Sequence, residues 1–166
     1  TPILFGLYGS GADVDGGDGM DGMMPVLSPF WGMTSFGWGK SHFGNRDYIV
    51  ADSPAGIWSI GTGLEDLRFL DNLTTHLRFA YFRGTNDVEE YNKAASAGGY
   101  KEAYRDYRVL DTSDYGIEVN LDNVINVYEN LDMYVQVAYI HLDVEHKGPN
   151  FEEDAWKGYV GFRYDF

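Results

Sequence analysis

The sequence predicts an all-β protein built on an antiparallel sheet, and three observations carry that expectation. The last eleven residues alternate strictly between apolar and polar, one strand motif occurs twice, and short and long connections alternate along the chain. Composition agrees: aromatic residues make up 16% of the chain and 21 glycines are scattered through it, a balance that favours strands over helices.

Taken in order, the first strand lies ahead of the long connection Ser10 to Ser53. The segments Gly56 to Leu70 and Asn72 to Tyr81 follow as a hairpin with a tight turn at Leu70-Asn72, and Asp114 to Tyr128 and Asn130 to Tyr139 form a second with its turn at Glu129-Leu131. The second arms of the two hairpins share an acid-Asn-Leu start (Asp71 or Glu129) and an Ala-Tyr end at identical spacing. Alternation in Tyr115, Ile117, Val119 and Leu121 weakens farther on, which predicts a bulge near Asn123. Two more short strands are candidates in Met33-His42 and Asp47-Ala51. The segment Asn86 to Tyr107 is the best helix candidate, but Gly98-Gly99 interrupts it and its apolar residues are mostly Ala and Tyr, so it reads as a long polar loop with at most one helical turn.

The final strand separates cleanly by parity. Trp156, Gly158, Val160, Phe162, Tyr164 and Phe166 lie on one face, and Lys157, Tyr159, Gly161, Arg163 and Asp165 on the other. A strand of about ten residues is long enough to cross a bilayer at the usual tilt. In the two repeated arms the outward set is Leu73, Leu77, Phe79 and Tyr81, then Leu131, Met133, Val135, Val137 and Tyr139. The inward set is Thr74, His76, Arg78 and Ala80, then Asp132, Tyr134, Gln136 and Ala138. Alternation alone fits either a soluble sandwich or an inside-out barrel. The connections help to choose: tight turns at one end oppose the long segments Ser10 to Ser53, Gly84 to Ser113 and Asp143 to Ala155 at the other, the pattern of outer-membrane barrels with periplasmic turns and extracellular loops.

Several classes are set aside. No apolar run approaches the roughly 18 residues of a membrane-spanning helix. The chain has no cysteine, hence neither a disulfide framework nor a Cys-based zinc site. A net charge of −14 argues against a sequence-independent grip on nucleic acid, which relies on Lys and Arg at phosphates. The N-terminus, Thr1-Pro-Ile-Leu-Phe, shows no signal-peptide pattern. The stretch from Gly16 to Met24, GGDGMDGMM, fits a dinucleotide-binding fingerprint by spacing, but Asp18 and Asp21 lie inside it and Pro25-Val-Leu-Ser-Pro29 follows in place of a helix. A calcium β-roll requires stacked copies, and there is one. What is left is an acidic glycine-rich loop whose Asp13, Asp15, Asp18 and Asp21 are a candidate calcium site at the outer mouth; no cofactor is required. His141, Asp143 and Glu145 fall on one side of a strand, with His146 beside them, and read as a solvated or lipopolysaccharide-zone patch in preference to a metal site. No Ser, His or Asp stands in a nucleophile-elbow pattern, so no catalytic residues are expected. Pro25 to Trp31 reads as a loop folded into the pore or a contact between subunits.

The terminal GFRYDF, with Phe162, Tyr164 and Phe166 two apart, resembles the closing strand by which bacterial outer-membrane β-barrels are recognised for assembly. IEVNLDNVINVYENLDMYVQVAYIHLD, LRFLDNLTTHLRFAYFRG and DGMMPVLSPFWG resemble the C-terminal part of the homotrimeric outer-membrane porins of sulfate-reducing bacteria. The resemblance implies an antiparallel transmembrane β-barrel in a Gram-negative outer membrane, no catalysis, a homotrimer, and contacts with lipid, lipopolysaccharide and the barrel-assembly machinery. Residues 1–166 are then a single barrel domain, six to eight C-terminal strands of a barrel of about sixteen, and the C-terminal portion of a longer chain. A closed eight-strand barrel is the alternative by length. Parity makes His76, Arg78, Glu118, Asn120, Asp132, Gln136, Lys157 and Arg163 the pore-lining candidates. The expected function is passive diffusion of small hydrophilic solutes and ions with a mild cation preference. Two rival readings are a secreted β-sandwich that binds carbohydrate, with calcium in the Asp loop, and an outer-membrane hydrolase.

Overall fold

The computed structural model describes residues 1–9, 11, 56–87, 110–145 and 152–166. They form one six-stranded sheet of β1 (Pro2–Tyr8), β2 (Ile57–Leu70), β3 (Leu73–Gly84), β4 (Tyr115–Tyr128), β5 (Leu131–Asp143) and β6 (Asp154–Tyr164). Spatial order equals chain order and every neighbouring pair is antiparallel. The fold is thus an all-β meander. It is not closed: β1 and β6 each pair on one side only among the described residues. β1 pairs directly with β2. The candidate strands Met33-His42 and Asp47-Ala51 lie outside the described residues, as does all of the Asn86 to Tyr107 segment beyond Asp87.

The two turns fall where the sequence places them, at 71–72 and 129–130. The repeated arms run farther than their shared motif, to Gly84 and Asp143. The expected bulge near Asn123 is absent. Asn123 stands in register with Thr75 and Val135, and Thr75 Oγ1 donates a 2.7 Å hydrogen bond to Asn123 Oδ1, so the polar residue is accommodated by a cross-strand pair. The irregularity in β4 lies instead between Asn126 and Tyr128, and β2 has two, between Leu64 and Leu67 and between Arg68 and Leu70. Turn geometry accounts for two of the three. Among the described non-glycine residues only Asp66 has positive φ, so neither two-residue turn is of the primed type whose twist matches the flanking strands. An extra residue just before each turn absorbs the mismatch.

The third irregularity is the one that sets the inner face. Asp66 takes φ 55°, a left-handed conformation that Asp tolerates better than most residues. The extra residue shifts parity, so that Leu64 and Leu67 fall on the same face, opposite Leu77 and Thr75. Glu65 meanwhile reaches Arg78 on the other face.

Register divides the sheet into two unlike faces. One carries Leu64, Leu77, Phe79, Val119, Leu121, Val137 and Val160, and all of these are exposed. The opposite face holds Ala80, Phe82, Glu118, Asn120, Asp122, Gln136, Ile140 and Leu142, and all of these are buried. The covered face is thus mixed, polar at mid-sheet and apolar at the loop end, while the aliphatic face is exposed; a soluble antiparallel sheet instead covers its apolar face and turns its polar face to water. Close packing on the buried face also accounts for a glycine: a Cβ at Gly61 would run into the Phe5 ring, so only glycine lets the edge strand lay that ring across β2.

Candidate functional site: the inner face of the sheet

All eight pore-lining candidates lie on the buried face, as parity requires. They do not share one environment. Glu118, Asn120 and Gln136 are at most 4% exposed, whereas His76, Arg78, Asp132 and Lys157 are half-buried and Arg163 is exposed.

At mid-height, β2, β3, β4 and β5 contribute to one connected network. Arg78 presents a fork: Nε and Nη2 donate to Glu65 Oε1 and Oε2 at 2.6 and 3.2 Å, and Nη1 donates to Asp122 Oδ2 at 3.0 Å. Gln136 Nε2 donates to the second oxygen of Asp122 at 2.6 Å. His76 Nδ1 lies 2.6 Å from Glu65 Oε2. The Asp66 amide is 3.3 Å from the same nitrogen, but a ring nitrogen that close to a carboxylate oxygen carries the proton, so the Glu65 contact is the hydrogen bond. One guanidinium therefore sits between two carboxylates in bidentate and single contacts, the geometry for which Arg is suited and Lys is not.

Two members of this network, Glu65 and Asp122, were not among the sequence candidates. Asp122 has the parity of Glu118 and Asn120, and extending that count by two residues finds it. Glu65 continues the odd-numbered inner parity of Ser59, Gly61 and Gly63 in β2, and the same count applied to that strand finds it; the face is lost only beyond Asp66.

Toward the turns a second group forms. Arg163 Nη2 lies 2.8 Å from Asp132 Oδ2, Asn126 Nδ2 donates to Asp132 Oδ1, and the Arg163 guanidinium stands 5.5 Å over the Tyr134 ring. Toward the loop ends the same face becomes apolar, with Ile57, Phe82, Leu110, Ile140 and Leu142 packed together. Polarity thus varies along the inner face: ion pairs near the turns and at mid-height, a hydrophobic cluster at the loop end.

The outer face is graded as well. At the loop end Trp58 and Tyr81 have ring centroids 5.4 Å apart, Tyr81 and Tyr115 6.1 Å apart, and Tyr139 and Trp156 continue the row as register neighbours. At the turn end Phe69, Tyr128, Phe162, Tyr164 and Phe166 are exposed, the last two edge to face at 5.1 Å. The band between is mainly aliphatic, with Phe79, Thr62 and the hydrogen-bonded pair Thr75–Asn123 among its residues. Comparison with protein-family models, curated proteins and solved structures found no match.

The remaining sequence candidates add no chemistry among the described residues. Asp13, Asp15, Asp18 and Asp21, the candidate calcium ligands, lie outside them, as do Pro25 to Trp31 and His146. His141 Nδ1 pairs with Asp154 Oδ1 at 2.9 Å, and Tyr139 donates its hydroxyl to the same oxygen. No group of three or more metal-ligating side chains occurs among the described residues. No helix there is long and apolar enough to cross a membrane, which says nothing of strands.

Proposed function

We propose that this chain is a sector of an outer-membrane β-barrel porin, with the exposed apolar face toward lipid and the face of Glu65, Arg78 and Asp122 toward a water-filled lumen. The observation that carries the reading is the inverted sheet: an exposed aliphatic band between two aromatic rows on one face, with ion pairs on the other. Transmembrane barrels have this cross-section, because lipid takes the place of a core and aromatic rings favour the two interfaces. β2 to β5 contain 12 to 14 residues each, more than the roughly 9–11 a tilted spanning strand needs. Closure of the barrel requires strands beyond the six, and the family resemblance suggests about sixteen in each of three subunits.

Function on this reading is passive diffusion of small hydrophilic solutes and ions, without a cofactor or catalysis, in a bacterial outer membrane. Carboxylates and cationic groups on one wall orient polar solutes, and the acidic excess of the chain raises cation concentration at the mouth. The alternative carbohydrate-binding sandwich requires Leu121, Val137 and Val160 in a dry core. Their exposure favours the barrel.

Protein from its native source, reconstituted in planar bilayers, is expected to give stepwise conductance and a reversal potential in a salt gradient that favours cations. Absence of steps would overturn the pore, and a clear anion preference the selectivity.

A further inference from the structure

Where the long connections leave the sheet, their bases are tied to one another by a continuous chain of hydrogen bonds. The connection between β1 and β2 starts at Gly9 and ends at Gly56. Thr85, just past β3, donates its hydroxyl to the Gly9 carbonyl at 2.7 Å and its amide to the Gly56 carbonyl at 2.8 Å. Asn86 carries the chain onward: its side-chain amide donates to the Leu110 carbonyl at 2.7 Å, and its own carbonyl accepts the Thr112 amide at 3.0 Å. Asp114 completes it. One carboxylate oxygen accepts the Asp111 amide at 3.0 Å, and the other accepts the amide of Glu145, at the base of the connection between β5 and β6, at 2.9 Å.

The Asp114 joint is enclosed and the Asn86 joint is half-buried. Asp111 and Asp114 are 3% and 2% exposed, and Leu110 beside them packs into the Ile57, Phe82, Ile140, Leu142 cluster. A Cβ on Gly84 would strike the Asp111 carbonyl, so the backbones at this point are in contact. Hydrogen bonds in a dry, connected network support one another, and a partly broken network is worse than none. Segments joined by such a network tend to open together as one cooperative unit.

We propose that Thr85, Asn86 and Asp114 join the bases of the three connections into one cooperative collar, with Asn86 closing the base of the middle one, so that releasing the Asn86 or the Asp114 joint releases all three. The inference rests on the hydrogen bonds alone and stands whether or not the sheet lines a pore. Its consequence is that an event at one connection changes the opening of the other two.

Native-state hydrogen exchange of the folded protein in detergent tests this with Asp114→Asn and Asn86→Ala. Asp114→Asn turns one acceptor into a donor, and should speed exchange at Asp111 and Glu145 about tenfold or more. The deciding amides are those each variant does not touch. Asp114→Asn should accelerate Thr85 and Thr112 by a similar factor, and Asn86→Ala should accelerate Asp111 and Glu145. Acceleration confined to the amides that lose their own acceptor would overturn the proposal. Equal acceleration at the mid-strand amides of Val119 and Val137 would overturn it too, because the collar would then not be a unit distinct from the sheet. Should Asp114→Asn not fold, Asn86→Ala decides alone by the same two outcomes.

Discussion

With the apolar face toward lipid, Val137→Arg is expected to lower the stability of the sheet in a bilayer by about 2–4 kcal/mol and Leu131→Arg by about 0–1 kcal/mol. Val137 is 48% exposed at the middle of β5 and pairs with Leu121 and Gly158. Leu131 is the first residue of the same strand, on the same face, beside the turn. On a face toward lipid the penalty depends on depth, because a charge at the midplane has no water to reach and one near the interface does. On a face toward water both substitutions stay within about 0.5 kcal/mol of the parent. Reversible unfolding from phospholipid vesicles, read as the shift in urea midpoint for the two variants, separates the cases. Equal costs at the two depths would count against lipid on this face.

Removing the guanidinium of Arg78 has the other large effect. Arg78→Ala is expected to destabilise the protein by about 3–5 kcal/mol, because Glu65 and Asp122 are left as enclosed carboxylates with no cation between them. Their side chains are only 17% and 6% exposed, so the water of the lumen reaches little of them and offsets the loss of Arg78 only in part. Adding Glu65→Gln to Arg78→Ala should recover part of the loss, because the repulsion then disappears with the charge. A single variant as stable as the parent would show that Arg78 is not a strut of the inner face.

The sequence was most informative where local rules suffice. Apolar-polar alternation from Trp156 to Phe166, and the acid-Asn-Leu start of two arms, located β6, β3 and β5 and both turns, because the face of a strand residue follows from counting by twos. The same counting put His76, Arg78, Glu118 and Gln136 on one face. It failed where a bulge intervenes. In β2 the odd-numbered inner parity holds through Glu65 and breaks at Asp66, so that Leu67 falls on the outer face, and a left-handed Asp has no sequence mark that separates it from an ordinary one. The β4 irregularity was expected near Asn123 because alternation fades there. It lies at Asn126–Tyr128 because the turn demands it, and Asn123 is satisfied across the strands.

The loop end of the inner face was legible in part. Phe82, Ile140 and Leu142 continue the inward parity of Ala80 and Ala138, so the wall turns apolar once the count is carried past the shared motif. The collar left no such mark. Thr85 and Gly9 are 76 residues apart, and Glu145 and Asp114 are 31 apart. Contacts at that separation depend on how the strands are stacked, which no single segment encodes.

Spin-label accessibility along β5 decides whether the apolar face meets lipid. The chain contains no cysteine, so single cysteines at Val135, Gln136, Val137, Ala138 and Tyr139 can be labelled one at a time in the reconstituted protein. Labels at Val135, Val137 and Tyr139 are expected to collide readily with oxygen, which concentrates in lipid, and rarely with a water-soluble nickel chelate; labels at Gln136 and Ala138 should show low oxygen contact. Labels at Val135 and Val137 that are shielded from both reagents would place these residues in a dry protein core, and contact with the nickel chelate would place them in water, either of which contradicts the account.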